Sequence, residues 1–414
     1  MKKILIVTYY FPPLNLIASK RYGTMCRYFE RNGYKPYILT TKHNRKYIAW
    51  DAHFDLEVPV AEEQLIRAGN SKENCRVDNK FIRLLLHIID KKDVMSGTLE
   101  RKAFGWYEEV KKSIDLKKLQ DIDMIIGTYP GMENLYVASY LSRKLGCPYI
   151  VEIRDLISDY MDISGKTKNV RWLDRIIERS ILSRASGIIT VTPGFRNILK
   201  QRFSDKRFKV VFNGYDVENN INELKRPGEK YLYYAGSLYQ HRLESFELLV
   251  KCLRKVNLVS EEKIRFIIRS IGPKELDVAA KILVRRENMQ EYVNILEAVP
   301  EEIVRQEQQQ AYINVVLSTL HEEDAAFMAT IPGKLYELMN MMPPILAIVQ
   351  KDSDLGKVLD YTQKGIASVS EKRIIDFIWK SSELYKGNKN IFFFTRERQA
   401  QRLCGFVDEV LETT

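Results

Sequence analysis

The sequence predicts an α/β protein built from two doubly wound parallel sheets, on three observations. Short β-rich runs alternate with amphipathic stretches along the whole chain, the pattern of parallel strands covered by helices. Several runs are apolar at successive positions, as a strand is when both faces of its sheet are buried. The length, 414 residues, exceeds one ordinary core, and roughly 150 residues per domain suggests two or three.

In the first half the strand candidates are KKILIVTYY, KPYILTT, MIIGTYP, PYIVEIR, GIITVTP and FKVVFNG. The clearest helix between them is Leu173 to Arg184, LDRIIERSILSR, with apolar residues at three- and four-residue steps. Residues 217–229, VENNINELKRPGE, are polar and turn-rich and predict a linker. The second half repeats the alternation with KYLYYAGSL, IRFIIRSIG, YVNILEAV, AYINVVLS, PPILAIV and IASVS. The expected division is a first domain over 1–216, the linker, a second domain over 230–394, and a final helix over 395–414 turning back toward the first domain. No fixed short period appears, which excludes a solenoid. Two wound halves of similar size place a ligand between them, at the carboxyl ends of the strands.

Residues 42–100 are the least regular part. They contain FIRLLLHIIDKK, which reads as a packing helix, with a membrane-surface helix as the alternative. The opening MKKILIVTYYF has the charge-then-apolar look of a secretion signal, but the run is short and ends at Pro12-Pro13 without a small-residue cleavage site. It reads as a buried first strand. No apolar run approaches the ~18 residues of a membrane span. The five cysteines (Cys26, Cys75, Cys147, Cys252, Cys404) are scattered without zinc or disulfide spacing, which fits reduced thiols in a cytoplasm.

The net charge of +11 attracts phosphate-bearing molecules in general. No nucleic-acid-reading motif is present, so nucleic acid is not an expected partner. The segment after the first strand, YYFPPLNLIASKR, lacks the G-x-G-x-x-G turn of nicotinamide enzymes, and no P-loop occurs. No cluster of metal ligands stands out.

Six pieces in fixed order carry a resemblance: YYFPPLNLIASKR, YIVEIRD at 149–155, ITVTPGFRNIL at 189–199, VVFNGYD at 210–216, YAGSLYQHR at 234–242 and IPGKLYELMNMMPPILAI at 331–348. Over almost its whole length the chain resembles glycosyltransferase family 4, especially the enzymes that build bacterial capsule, O-antigen (lipopolysaccharide) or exopolysaccharide. The resemblance implies a GT-B fold, with two Rossmann-like domains facing a central cleft. It further implies sugar transfer from a nucleoside-diphosphate sugar to a glycan or lipid-linked oligosaccharide. Retention of anomeric configuration, no metal, and no cofactor beyond the nucleotide-sugar co-substrate follow from it. So does a cytoplasmic site of action, with peripheral contact at the inner membrane face.

The resemblance also assigns residues. Gly236, Ser237, Arg242, Ile331, Pro332, Gly333, Lys334, Leu335 and Glu337 fall on the donor side. Arg242 and Lys334 would stabilise the departing diphosphate, with amides at the start of the 334 helix supplying further donors. Glu337 matches the later acid of the family's glutamate pair and would accept from the ribose hydroxyls; a solvated helix acid is the competing reading. The earlier acid is absent: Ala329 stands there, and Glu322, Glu323 or Asp324 are the candidates to replace it. Ser237 stands where many relatives have a second basic residue.

On the acceptor side the resemblance points to Asn15, Ser19, Arg21 and Arg154, and it adds Asp155 to the catalytic set with Arg242 and Lys334. Arg21 reads equally as a contact to an acceptor phosphate or a helix-surface charge. Arg154 and Asp155 read as acceptor-orienting groups or an ion pair within the lobe. No histidine matches the one many relatives place near the reacting sugar; Asn134 occupies the plausible region. Two rivals remain: a nucleotide-sugar 2-epimerase of the same fold, and a non-catalytic glycosyltransferase-like partner subunit.

Overall fold

The computed structural model describes residues 1–42, 53–54, 56–69, 101–159, 168–217, 229–384 and 389–413. The FIRLLLHIIDKK segment and residues 218–228 of the expected linker lie outside them. The chain divides into two compact units, one of residues 1–213 with 396–414, the other of residues 214–395.

In the first unit the elements run β1 (Lys2–Val7), β2 (Leu14–Asn15), α1 (Ile17–Met25), β3 (Tyr34–Thr40), β4 (His53–Phe54), β5 (Leu65–Arg67), α2 (Arg101–Ser113), β6 (Met124–Tyr129), α3 (Met132–Leu145), β7 (Tyr149–Ile153), α4 (Lys168–Leu182), β8 (Gly187–Thr190), α5 (Pro193–Lys200) and β9 (Phe208–Val210). Seven strands form one parallel sheet in the order β5-β3-β1-β6-β7-β8-β9. The short β2 and β4 pair antiparallel beside it. Ile4 to Val7 are completely buried, which explains the unbroken apolar run of β1. Helix α3 lies so close to β6 that a Cβ on Gly127 would meet the Ala138 methyl at 2.7 Å.

The second unit contains β10 (Tyr231–Ala235), α6 (Leu243–Val259), β11 (Arg265–Arg269), α7 (Lys274–Arg286), β12 (Val293–Leu296), α8 (Glu301–Gln310), β13 (Ile313–Leu317), α9 (Ala325–Met328), α10 (Lys334–Met339), β14 (Ile345–Ile348), α11 (Asp354–Thr362), β15 (Gly365–Ala367) and α12 (Glu371–Leu384). Its six parallel strands lie in the order β12-β11-β10-β13-β14-β15. Both sheets thus place the first strand beside the fourth. The strand order reverses between β1 and β6 in one unit and between β10 and β13 in the other, the point where open α/β sheets receive ligands.

The last helix, α13 (Arg396–Leu411), belongs to the first unit. Its Leu403, Phe406 and Val407 are buried in the same cluster as Ile4, Ile6 and Met25. Polar ties accompany the packing. Gln399 Oε1 accepts from the Phe212 amide at 3.0 Å, and Asp408 accepts from Lys2 Nζ and the Tyr34 hydroxyl, both at 2.5 Å.

Each predicted strand run corresponds to a strand of one of the two large sheets, with IASVS displaced toward Gly365–Ala367. The edge strand β5 was not predicted. It is three residues long and pairs on one side only, so it needs no apolar run to hold its place.

Candidate functional site

The second unit builds a cationic pocket at its switch point. Strand β10 ends at Ala235, and Gly236 follows with φ +152°. The backbone there favours glycine, and a Cβ would fall 2.0 Å from Lys334 Nζ, so a side chain would push the lysine end away. The loop then folds on itself. The Tyr234 hydroxyl donates to the Ser237 carbonyl at 2.9 Å, and Arg242 Nη1 donates to that carbonyl at 3.0 Å and to the Tyr234 oxygen at 3.1 Å. The guanidinium also lies 4.9 Å from the centre of the Tyr239 ring, a cation–π contact. Its buried Nε has no hydrogen-bond partner.

From the neighbouring strand, β13, the chain passes through α9 and enters α10 at Pro332-Gly333. Gly333 has ordinary helical angles, φ −54° and ψ −32°, and a Cβ on it would meet nothing within 4 Å. Neither strain nor crowding inside the protein requires glycine there. The Leu335 amide bonds to the Pro332 carbonyl at 3.0 Å, whereas the amides of Gly333 and Lys334 have no hydrogen bond among the described residues. Ile331 and Leu335 bury their side chains in the core, so both serve the turn by packing.

Lys334 is half-buried with its Nζ 5.6 Å from the Tyr234 ring centre, and it forms no hydrogen bond or ion pair among the described residues. Burial and the nearby Arg242 guanidinium lower its pKa to about 8, against the opposing pull of Glu337. Arg242, Pro332 and Lys334 line a pocket with Asn314, Gln308 and Leu338. Asn314 is fully buried: its Nδ2 donates to the Gln308 carbonyl at 2.9 Å, and its Oδ1 has no partner. Glu337 stands exposed on α10 and does not line this pocket.

Two of the three acids proposed to stand in for Ala329 have partners of their own, and Glu322 is exposed. Ala329 itself is buried at the end of α9. Asp324 Oδ1 caps α9 by accepting from the Phe327 amide at 3.2 Å. Glu323 lies 3.2 Å from His321 Nδ1, whose Nε2 lies 2.9 Å from Glu244. Beside Arg242, the rings of Tyr239, His241 and Phe327 form a stack with centroids 5.7 and 4.6 Å apart. Burial, reinforced by Arg242, lowers the His241 pKa to about 4, so the imidazole is neutral at pH 7.

The first unit disposes of its charges differently. Arg21 is not a surface charge, and it has no donor to spare for an acceptor phosphate, which corrects both readings of it. Its Nε and Nη2 donate to Glu152 Oε1 at 2.9 and 2.6 Å, and its terminal nitrogens also reach the carbonyls of Phe212 and Val211 and Asn213 Oδ1. All five guanidinium N–H groups are thereby used within the unit. Glu152, on β7, is fully buried and accepts from Thr128 Oγ1 at 2.8 Å through its other oxygen. Burial pushes its carboxyl up, but Arg21 and the hydrogen bonds outweigh burial and hold it below the usual range.

Arg154 follows β7 and is half-buried; its amide and Nε both donate to the Tyr129 carbonyl, at 3.0 and 3.3 Å. Among the described residues it forms no ion pair, although its charge still favours the ionised form of Asp155. Burial raises the Asp155 pKa above the ordinary carboxyl value, partly offset by Arg154. Ser19 is buried with an unpartnered hydroxyl, and Asn15 sits half-buried on β2. Asn134 holds two strand ends together: its Oδ1 accepts from the Tyr9 amide at 2.7 Å and its Nδ2 donates to the Thr128 carbonyl at 2.8 Å. Thr192 caps α5. Among the described residues no three His, Cys, Asp or Glu side chains are arranged to hold a metal ion.

Sequence reasoning missed Glu152, Tyr22, Tyr234 and Asn314. An acid inside the apolar run YIVEI was a usable signal, because a buried carboxylate needs a partner. The hydroxyl and amide groups gave no such signal.

With this geometry in hand, known proteins supply the context. No family model matches the chain. A curated relative described as a probable glycosyltransferase, WbjE of Pseudomonas aeruginosa, is 21% identical over 256 residues, covering 58% of this chain and 61% of the relative. The match therefore spans about three fifths of that relative's length. Among solved structures, sucrose-phosphate synthase of Thermosynechococcus elongatus matches with TM-score 0.60 at 12% identity, covering 100% of this chain and 97% of that one. The lipopolysaccharide outer core galactosyltransferase WaaB matches with TM-score 0.58 at 14% identity, covering 98% and 99%. HepE of Anabaena, solved with UDP-glucose, matches with TM-score 0.54 at 11% identity, covering 100% and 98%. The fold is GT-B: two doubly wound parallel-sheet units of the kind found in these glycosyltransferases.

Proposed function

We propose that this protein is a glycosyltransferase that moves a sugar from a nucleoside-diphosphate donor to a glycan or lipid-linked acceptor in cell-surface polysaccharide synthesis, in the manner of glycosyltransferase family 4. The observation that carries the reading is the pair of cations at the second switch point. Lys334 and Arg242 face one pocket without a carboxylate between them, and Gly236 keeps the space beside Lys334 open. Two half-buried cations side by side repel each other, and the arrangement is relieved by an anion that accepts from both. A diphosphate also suits the unengaged amides of Gly333 and Lys334. The relative named as a probable glycosyltransferase and the structural likeness to a UDP-glucose complex support the same reading.

Lys334, Arg242 and the two amides would hold the leaving diphosphate as negative charge develops on it. Glu337, one helical turn from Lys334, would accept from the ribose hydroxyls. The acceptor would bind to the first unit near Asn15, Ser19, Arg154 and Asp155, and transfer would retain configuration without a metal. A test is calorimetry with a panel of nucleoside diphosphates and their sugars, followed by product analysis with and without acceptor. The reading expects one nucleotide series to bind, Lys334→Gln to weaken it, and sugar to leave the donor for an acceptor or water. Donor sugar epimerised without acceptor, or no nucleotide binding at all, would overturn it.

A further inference from the structure

The first unit carries a cation that its own fold leaves half-satisfied. Arg154 spends its Nε on the Tyr129 carbonyl. Among the described residues its two terminal nitrogens have no hydrogen bond, and no carboxylate lies within ion-pair distance. The acid two residues earlier, Glu152, is taken by Arg21 and Thr128. The acid next to it, Asp155, is held toward its neutral form by burial. Within electrostatic reach of Arg154 lies the Tyr22 hydroxyl, which is buried and also lacks a partner. Ser19, one turn earlier on α1, has a second buried hydroxyl without a hydrogen-bond partner. Buried polar groups in folded proteins are nearly always paired, and a cation taken partly out of water without a counter-ion is costlier still.

A contrast within the unit shows what is missing. Arg21 has five hydrogen bonds, including a carboxylate; Arg154 has the same donor set and one side-chain bond. We infer that the first unit binds an anionic group, a carboxylate or a phosphate monoester, through the terminal nitrogens of Arg154. A guanidinium with two parallel free N–H groups fits either anion in a forked pair. Combined with the transferase reading, on which this step rests, the ligand is the acceptor, and the acceptor is acidic.

The test uses the full chain with the donor site saturated by whichever nucleoside diphosphate binds it. Methyl glucuronide, methyl glucoside 6-phosphate and uncharged methyl glucoside are then titrated by calorimetry. At least one charged probe binds about tenfold or more tightly than the neutral one, a gap in keeping with a charge-assisted pair; which of the two wins tells carboxylate from phosphate. Arg154→Gln removes the gap and Arg154→Lys restores part of it, while nucleotide binding by both variants certifies their fold. Equal binding of charged and neutral probes by the wild type, or a gap that survives Arg154→Gln, overturns the inference. A wild type that binds no nucleotide overturns the transferase reading instead, and the probes are then compared without nucleotide.

Discussion

Arg21, on α1, and Arg242, at the entry to α6, both follow the first strand of a sheet, and they end in opposite conditions. In the first unit α1 turns its arginine inward, where Glu152, Asn213 and two carbonyls take every N–H. In the second unit the guanidinium stays at a pocket wall with a neutral hydroxyl and one carbonyl for company, and Lys334 beside it. The two folds are alike in strand order, so topology does not make the difference. It lies in whether a buried acid stands two strands away, as Glu152 does on β7, where the corresponding β14 is wholly apolar. Glu152 completes the first site and turns a cation into a structural tie; among the described residues the second unit gives Arg242 and Lys334 no such acid.

The largest expected effect tests the structural half. Arg21→Met leaves Glu152 buried and unpaired and should cost on the order of 3–5 kcal/mol in urea unfolding. A loss under about 1 kcal/mol would mean that the pair is not the tie described. Gly236→Ala comes next, since it forces a side chain onto a positive φ and into Lys334. A cost of about 1–3 kcal/mol together with loss of nucleotide binding is expected; retained binding would show that the Gly236–Lys334 contact is not required.

Lys334→Gln should leave stability nearly unchanged and weaken nucleotide binding roughly 10- to 100-fold, as loss of a charged hydrogen bond does. Its pH dependence sharpens the point. Lys334 titrates at about 8 in the folded protein, below its ordinary value. Nucleotide affinity should thus hold steady below pH 8 and fall above it, and the Gln variant should lose that step. The sign for stability is opposite: between about 8 and the unfolded lysine value the unfolded state binds more protons, so this group's contribution to stability rises with pH.

The smallest effect is at Asp155. Because burial raises its folded pKa, its ionisation works against the fold as pH rises through that pKa. Asp155→Asn should raise the melting temperature slightly at pH 7 and not at acid pH. A lower melting temperature at pH 7 would show a stabilising partner for the carboxylate.

Much of the scaffold was legible in the chain. KYLYYA and INVVL are apolar on successive residues, and such runs have one comfortable home, a strand covered on both faces. The turn Ile-Pro-Gly-Lys announced a helix entry, and the position of Lys334 at that entry follows from the sequence alone. Arg21 was misread because its helix, IASKRYGTM, is weakly patterned, and nothing in that segment says which face is buried. Glu152, more than a hundred residues later, decides it.

What the sequence determined, then, is local: the period of each run, the breaks at proline and glycine, and the set of charges available near each strand end. Which charges meet is decided by tertiary structure, because pairing depends on atoms within a few ångströms contributed by segments far apart in the chain, and the Coulomb energy and desolvation of each group depend on that neighbourhood. Arginine at 21 and arginine at 242 are the same letter; the fold makes one a strut and leaves the other a hand.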